Sequence, residues 1–80
     1  MPKLKLLTSH QIIKILESFN FIVVSQRGSH IKLKRIVSLK KQILVIPHNG
    51  TLKKGTLKAI FNQMTKFISK EEIHSFFYTK

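Results

Sequence analysis

Cysteine and aspartate are absent from this 80-residue sequence, and only three residues are acidic, Glu17, Glu71 and Glu72. The lack of cysteine excludes disulfide bonds, thiolate metal sites and a cysteine nucleophile. No cluster of His, Asp or Glu has the spacing of a metal site. We therefore expect a protein that needs neither a metal ion nor another cofactor.

Long apolar runs are also missing from the chain. No stretch approaches the roughly twenty residues that cross a bilayer. The N-terminal apolar stretch is interrupted by Lys5 and is too short for the core of a signal peptide. The positive charges do not form one polar face of a long amphipathic helix, which disfavours binding to a membrane surface. These absences predict a cytoplasmic protein with no membrane role.

Positive charge dominates the composition. Fifteen Lys and Arg residues against three acidic residues give a formal net charge of +12. This exceeds what solubility requires, and such a field attracts polyanions, so nucleic acid is the leading class of partner. With 80 residues, 42% of them hydrophobic, the chain can build one small core. We expect a single domain over residues 1–80.

Two segments have the apolar period of an amphipathic helix. The first begins at Thr8 or Ser9, because Thr8 and Gln11 have the spacing of a capping box. Asn20 ends it, since Asn tolerates the left-handed conformation that follows a helix. The apolar stripe of this helix is Ile12, Ile15, Leu16 and Phe19. The second helix follows residues 52–56, and its stripe is Leu57, Ile60, Phe61 and Met64.

A short third helix is predicted near the C-terminus. Ser69 and Glu72 have the spacing of a second capping box. Apolar residues at 68 and 73 flank this pair as a hydrophobic staple would. The predicted helix carries Phe76, Phe77 and Tyr78.

Three β-rich segments lie between the first two helices. Phe21–Gln26 is apolar on both faces for four residues, which predicts a strand whose second face is at least partly covered. The next strand covers about His30–Ile36. After a loop over residues 38–41, the third covers Gln42–Ile46 and ends at Pro47, which cannot donate to the ladder. The order predicts an α+β fold, α-β-β-β-α, in which a three-stranded antiparallel sheet carries two helices on one face.

A tight turn at Gly28 joins the first two strands, because glycine can adopt the φ > 0 that such a hairpin needs. Alternation then places His30, Lys32 and Lys34 on the face that the helices leave open, with the apolar residues between them on the other face. A histidine can act as a general base, and lysines can stabilise the extra negative charge of a phosphoryl transition state. An ordinary polar strand residue would occupy the same position as His30, and the spacing alone does not separate the two.

Further candidates for contact with phosphate lie outside this strand. His48 can serve as a general acid or a phosphate contact, or be an ordinary loop histidine. Lys53 and Lys54 flank the start of the second helix, where free N–H groups favour an anion. A solvated lysine run is the alternative, but lysines are better placed at a helix C-terminus, so this position points to an anionic ligand.

In their order and spacing, these motifs resemble the HicA family of toxins, small mRNA interferases of toxin–antitoxin pairs. The resemblance covers about residues 8–64. The family usually has glycine where this chain has Asn20, which tolerates the same backbone. The matching segments are the capped helix 8–19, Asn20-Phe21, Gly28-Ser29-His30, Pro47-His48 and Lys54-Gly55-Thr56-Leu57.

This resemblance implies a fold like that of the double-stranded-RNA-binding domain. It also implies metal-independent cleavage of mRNA with His30 as the catalytic residue, and neutralisation by a HicB-type antitoxin. We predict that the residues in contact with RNA are Arg27, Gly28, Ser29, Lys32, Lys34, His48, Lys53 and Lys54.

Two other functions fit part of the pattern. A non-catalytic module that binds double-stranded RNA by shape needs the same basic layout but only a charge at His30. The nuclease needs a titrating imidazole there. A DNA-binding repressor fits less well, because the sequence contains no helix-turn-helix pair.

Overall fold

The computed structural model describes residues 3–79, so the predicted domain limits at 1 and 80 lie outside the described residues. The three strands form one antiparallel sheet in their order along the chain. This confirms the predicted α+β fold with a short C-terminal helix. No helix within residues 3–79 is long and apolar enough to cross a membrane. The elements are α1 (Ser9–Ser18), β1 (Ile22–Arg27), β2 (His30–Val37), β3 (Lys40–Pro47), α2 (Lys54–Met64) and α3 (Lys70–Phe77).

Both ends of α1 form as the sequence predicts. Thr8 is the N-cap, and its hydroxyl accepts from the backbone N–H of Gln11 at 3.2 Å while the Gln11 side chain accepts from the Thr8 N–H at 2.8 Å. After the helix, Asn20 adopts φ +73°. The N–H of Phe21 then donates to the Leu16 carbonyl at 3.1 Å, which completes a Schellman cap and turns the chain into β1.

Alternation along β2 and β3 gives the sheet one buried face and one open face. Ile31 and Leu33 are buried on β2, opposite the buried residues Ile46 and Leu44 of β3. Helices α1 and α2 both lie against β3. The predicted stripe of α2 is buried throughout, and in α1 Ile12 and Leu16 are fully buried while Ile15 and Phe19 are partly so. The open face is the opposite one, to which His30, Lys32 and Lys34 belong.

Strand β1 differs from its prediction. The sequence predicts that its second face is at least partly covered, but every residue of β1 is exposed. Ile22, Val23 and Val24 keep 59%, 45% and 43% of their surface accessible. The reason is the position of β1 at the sheet edge farthest from β3, against which the two long helices lie.

The connection between β2 and β3 is shorter than the predicted loop 38–41. Only Ser38 and Leu39 form the turn, while Lys40 and Lys41 belong to β3. Both turn residues have positive φ, +51° and +67°, which is the backbone of a type I′ hairpin. Neither residue is of the type that usually marks such a turn, so the sequence gives no signal for it.

The predicted start of α3 is confirmed, but the predicted side-chain hydrogen bond of its capping box does not form. Ser69 is the N-cap, but its side chain makes no capping hydrogen bond, because the N–H of Glu72 donates to the Ser69 carbonyl instead. The helix ends at Phe77. Tyr78 is extended and forms an antiparallel bridge with Leu4.

Candidate nucleic-acid interface

The hairpin between β1 and β2 places His30 at the start of its strand. Gly28 has φ +54° and is the first of the two turn residues, where a type II′ hairpin favours glycine. Arg27 and His30 close the turn as direct cross-strand partners. Side chains of such partners lie on the same face with Cβ atoms about 5 Å apart. The turn therefore sets a guanidinium beside the imidazole.

Cross-strand pairing arranges the open face in rows. His30 lies between Arg27 of β1 and Pro47 of β3. In the next row, Lys32 lies between Ser25 and Val45. A cavity of about 440 Å³ spans both rows, lined by Ser25, Arg27, His30, Lys32 and Val45.

A β-bulge in β1 decides which of its residues join this face. The register shifts between Val23 and Ser25, leaving Val24 without a partner. As a result Ile22 shares the open face with Ser25 and Arg27, although simple alternation would separate Ile22 from them. Ser25 and Val45 were not predicted as cavity residues, because their place depends on a register that the sequence does not show.

Lys34 occupies the third row, between Ile22 and Ile43, and is half-buried. It is on the open face, as predicted, but it does not line the cavity. Its neighbours are apolar, so the open face changes along β2 from a polar end at His30 to a mixed end at Lys34.

His48 lies at the same end of the sheet as His30 but on a different side. Its backbone N–H donates to the Ser29 carbonyl at 2.5 Å, and its Nδ1 lies 3.1 Å from Nε2 of Gln26. Gln26 is paired with Ile31, a residue of the buried face. The His48 ring therefore meets a side chain from the face opposite His30, and it does not line the cavity.

Lys53 and Lys54 are placed apart from the His30 cavity. Lys53 is the N-cap residue of α2 and is exposed. Lys54 lines a second cavity, of about 410 Å³, on α2. The other lining residues of this second cavity are Lys3, Leu4, Lys58 and Tyr78. The predicted RNA contacts therefore do not all meet in one cavity.

The His30 cavity is cationic in character. Arg27 and Lys32 line it together with His30, and no acidic side chain does. Within residues 3–79, no group of three or more His, Asp or Glu side chains could hold a metal ion. The arrangement offers one proton acceptor and two permanent cations to an anionic ligand.

Comparison with known protein families gives one assignment. The model of the family described as the HicA toxin of bacterial toxin–antitoxin systems matches residues 9–65. The chain belongs to the HicA toxin family. It is therefore related to the toxin components of these systems, for which an antitoxin is the implied partner. The match covers α1, the sheet and α2 and leaves α3 outside. Searches of curated proteins and of solved structures gave no match.

Proposed function

We propose that this HicA toxin is a metal-independent endoribonuclease, an mRNA interferase that inhibits translation in the cytoplasm. RNA binds to the open face, and His30 is the catalytic residue. The observation that supports this most is the exposed imidazole of His30 in a cavity with Arg27 directly across the strand pair.

The reaction requires little besides a base and cations. His30 accepts the proton of a ribose 2′-hydroxyl, whose oxygen then attacks the adjacent phosphorus. The bond between phosphorus and the 5′-oxygen breaks, that oxygen takes a proton from solvent, and His30 releases to solvent the proton it accepted. The products are a 2′,3′-cyclic phosphate and a 5′-hydroxyl. Because DNA lacks the 2′-hydroxyl, the same residues leave it intact.

Arg27 and Lys32 stabilise the charge that develops on phosphorus. The phosphorane carries one more negative charge than the bound phosphodiester, so nearby fixed cations bind it more strongly than the ground state. Arg27 can donate two parallel hydrogen bonds to two phosphate oxygens. Lys32 lies one row from His30, two residues along the strand or about 6.6 Å, within reach of the same phosphate.

The test is incubation of the purified full chain with an end-labelled RNA in excess EDTA. We expect cleavage to persist, and we expect fragments ending in a 2′,3′-cyclic phosphate. The same RNA with a single 2′-deoxy substitution at the cleaved position should resist cleavage there. Loss of activity in EDTA that Mg²⁺ restores would refute the mechanism.

A non-catalytic module that binds double-stranded RNA is the alternative, since the open face carries cations in any case. His30→Lys separates the two functions, because it supplies a cation for RNA binding but removes the imidazole that would accept the proton. The nuclease should lose cleavage and keep RNA binding. A module that only binds should show no cleavage in either form.

A further inference from the structure

The outer edge of β1 is interrupted by the bulge at Val24 but carries no lysine or proline. β1 is an edge strand of six residues, about 20 Å long, and all six are exposed. Its first five residues, Ile22–Gln26, contain neither a charge nor a proline. Alternate N–H and C=O groups of such a strand point away from the sheet and are free to pair with another strand.

The other edge of the sheet, β3, is protected by its sequence. Natural sheets block unwanted pairing with lysines and prolines on their edges. β3 begins with Lys40 and Lys41 and ends with Pro47, which has no N–H to donate. The Ser9 hydroxyl also donates to the Pro47 carbonyl at 2.6 Å. Of the two edges of the sheet, the β1 edge is therefore the one suited to a partner strand.

Charge determines what the partner strand can be. The chain has a net charge of +12, so two copies repel one another and edge-to-edge pairing of this chain with itself is opposed. An acidic strand is attracted by the same field. Ile22 and Val23 add apolar surface to the edge, which favours β-branched residues between the acidic ones.

We propose that an extended acidic segment of the antitoxin pairs with β1 and adds a fourth strand to the sheet. Ser25 and Arg27 line the cavity of His30 and also belong to β1. A strand beside them projects every second side chain onto the open face, next to Arg27. An acidic side chain there pairs with the Arg27 guanidinium and prevents it from binding phosphate. This inhibitory consequence rests on the proposed function, whereas the strand pairing itself does not.

The probe is an acetylated and amidated octapeptide of alternating Glu and Val, added to the full chain at low salt. Binding is followed by titration of the backbone amide NMR signals and by hydrogen exchange. We expect protection of the outward-facing amides of β1 and none at β3. A second peptide with an N-methyl group on every residue has the same charge but no backbone N–H to donate along either edge. We expect it to bind at least tenfold more weakly.

Val24→Glu and Val37→Glu form a matched pair of variants. Both valines are 43% exposed, and both substitutions change the net charge equally. Val24 is on β1, whereas Val37 lies beyond the residues of β2 that pair with β1. We expect Val24→Glu to weaken peptide binding several-fold more than Val37→Glu.

Three results would overturn the inference. Equal binding of the N-methylated peptide would show attraction by charge alone. Protection of residues 40–47 would place the partner on β3. Protection of β1 that grows with protein concentration and needs no peptide would show pairing between copies of this chain. The proposed nuclease is tested separately, because peptide binding is measured without RNA and should persist in His30→Ala.

Discussion

Replacing His30 with alanine should abolish RNA cleavage and leave the fold intact. His30 is exposed on the open face, and no hydrogen bond of its side chain contributes to the described structure. A surface substitution of this kind changes the free energy of unfolding by no more than about 0.5 kcal/mol. For a domain of this size that corresponds to a shift in Tm of about 2–4 °C.

The effect on catalysis should be far larger. Loss of a general base costs about 10²- to 10⁴-fold in rate, or roughly 3–5 kcal/mol of activation free energy. Arg27 and Lys32 cannot replace it, because a guanidinium and an ammonium group have no lone pair with which to accept a proton. RNA binding should weaken only slightly, since these two cations remain.

Two control variants provide reference values for the changes in Tm and in cleavage. His10→Ala removes another exposed histidine, on α1, and should change neither Tm nor cleavage. Ile31→Ala removes a buried neighbour of His30 and should cost about 2–5 kcal/mol of stability. If His30→Ala instead melts like Ile31→Ala, or cleaves RNA at an undiminished rate, His30 is a structural residue and the catalytic assignment is wrong.

Three further predictions address RNA contacts, the antitoxin and the fold. Lys53→Gln with Lys54→Gln should flatten the dependence of log Kd on log salt by about 1.4 if each lysine neutralises one phosphate of single-stranded RNA. An unchanged slope would show that RNA lies elsewhere on the surface. Association with the antitoxin, measured by stopped flow, should slow steeply as salt rises, because an acidic surface is attracted to a net charge of +12. A tight complex that still cleaves RNA would refute occlusion of the site. Ser38→Asn with Leu39→Gly should raise the free energy of unfolding by about 1 kcal/mol, measured by thermal unfolding, because Asn-Gly favours the two positive φ angles of this turn. No gain in stability would mean that the turn is not type I′.

Local sequence signals predicted those parts of the fold that local interactions decide. The capping box at Thr8, the left-handed Asn20 and the turn at Gly28 each depend on hydrogen bonds or backbone preferences within about four residues. The apolar stripe of α2 was predicted for the same reason, since one helical period determines one buried face.

What the sequence could not predict depends on partners that are distant along the chain. The exposure of β1 follows from where the helices pack, and the place of Ser25 in the cavity follows from the bulge at Val24. Residue type does not distinguish Lys32 from Lys54, but the two lysines line different cavities. Pairing across strands, and not residue type, determines which cations surround His30.

Arg35 shows why the net charge overstates what is available to RNA. It follows the predicted open-face residues on β2, but it belongs to the helix side of the sheet opposite Gln42. Its guanidinium donates to the Phe19 carbonyl at 2.8 Å and to the Phe67 carbonyl at 2.9 Å, and lies 4.9 Å from the centre of the Phe21 ring. These carbonyls follow the ends of α1 and α2, where no later helical N–H can satisfy them. Arg35 therefore stabilises the packing of the helices against the sheet, and the cations left for phosphate beside His30 are Arg27 and Lys32.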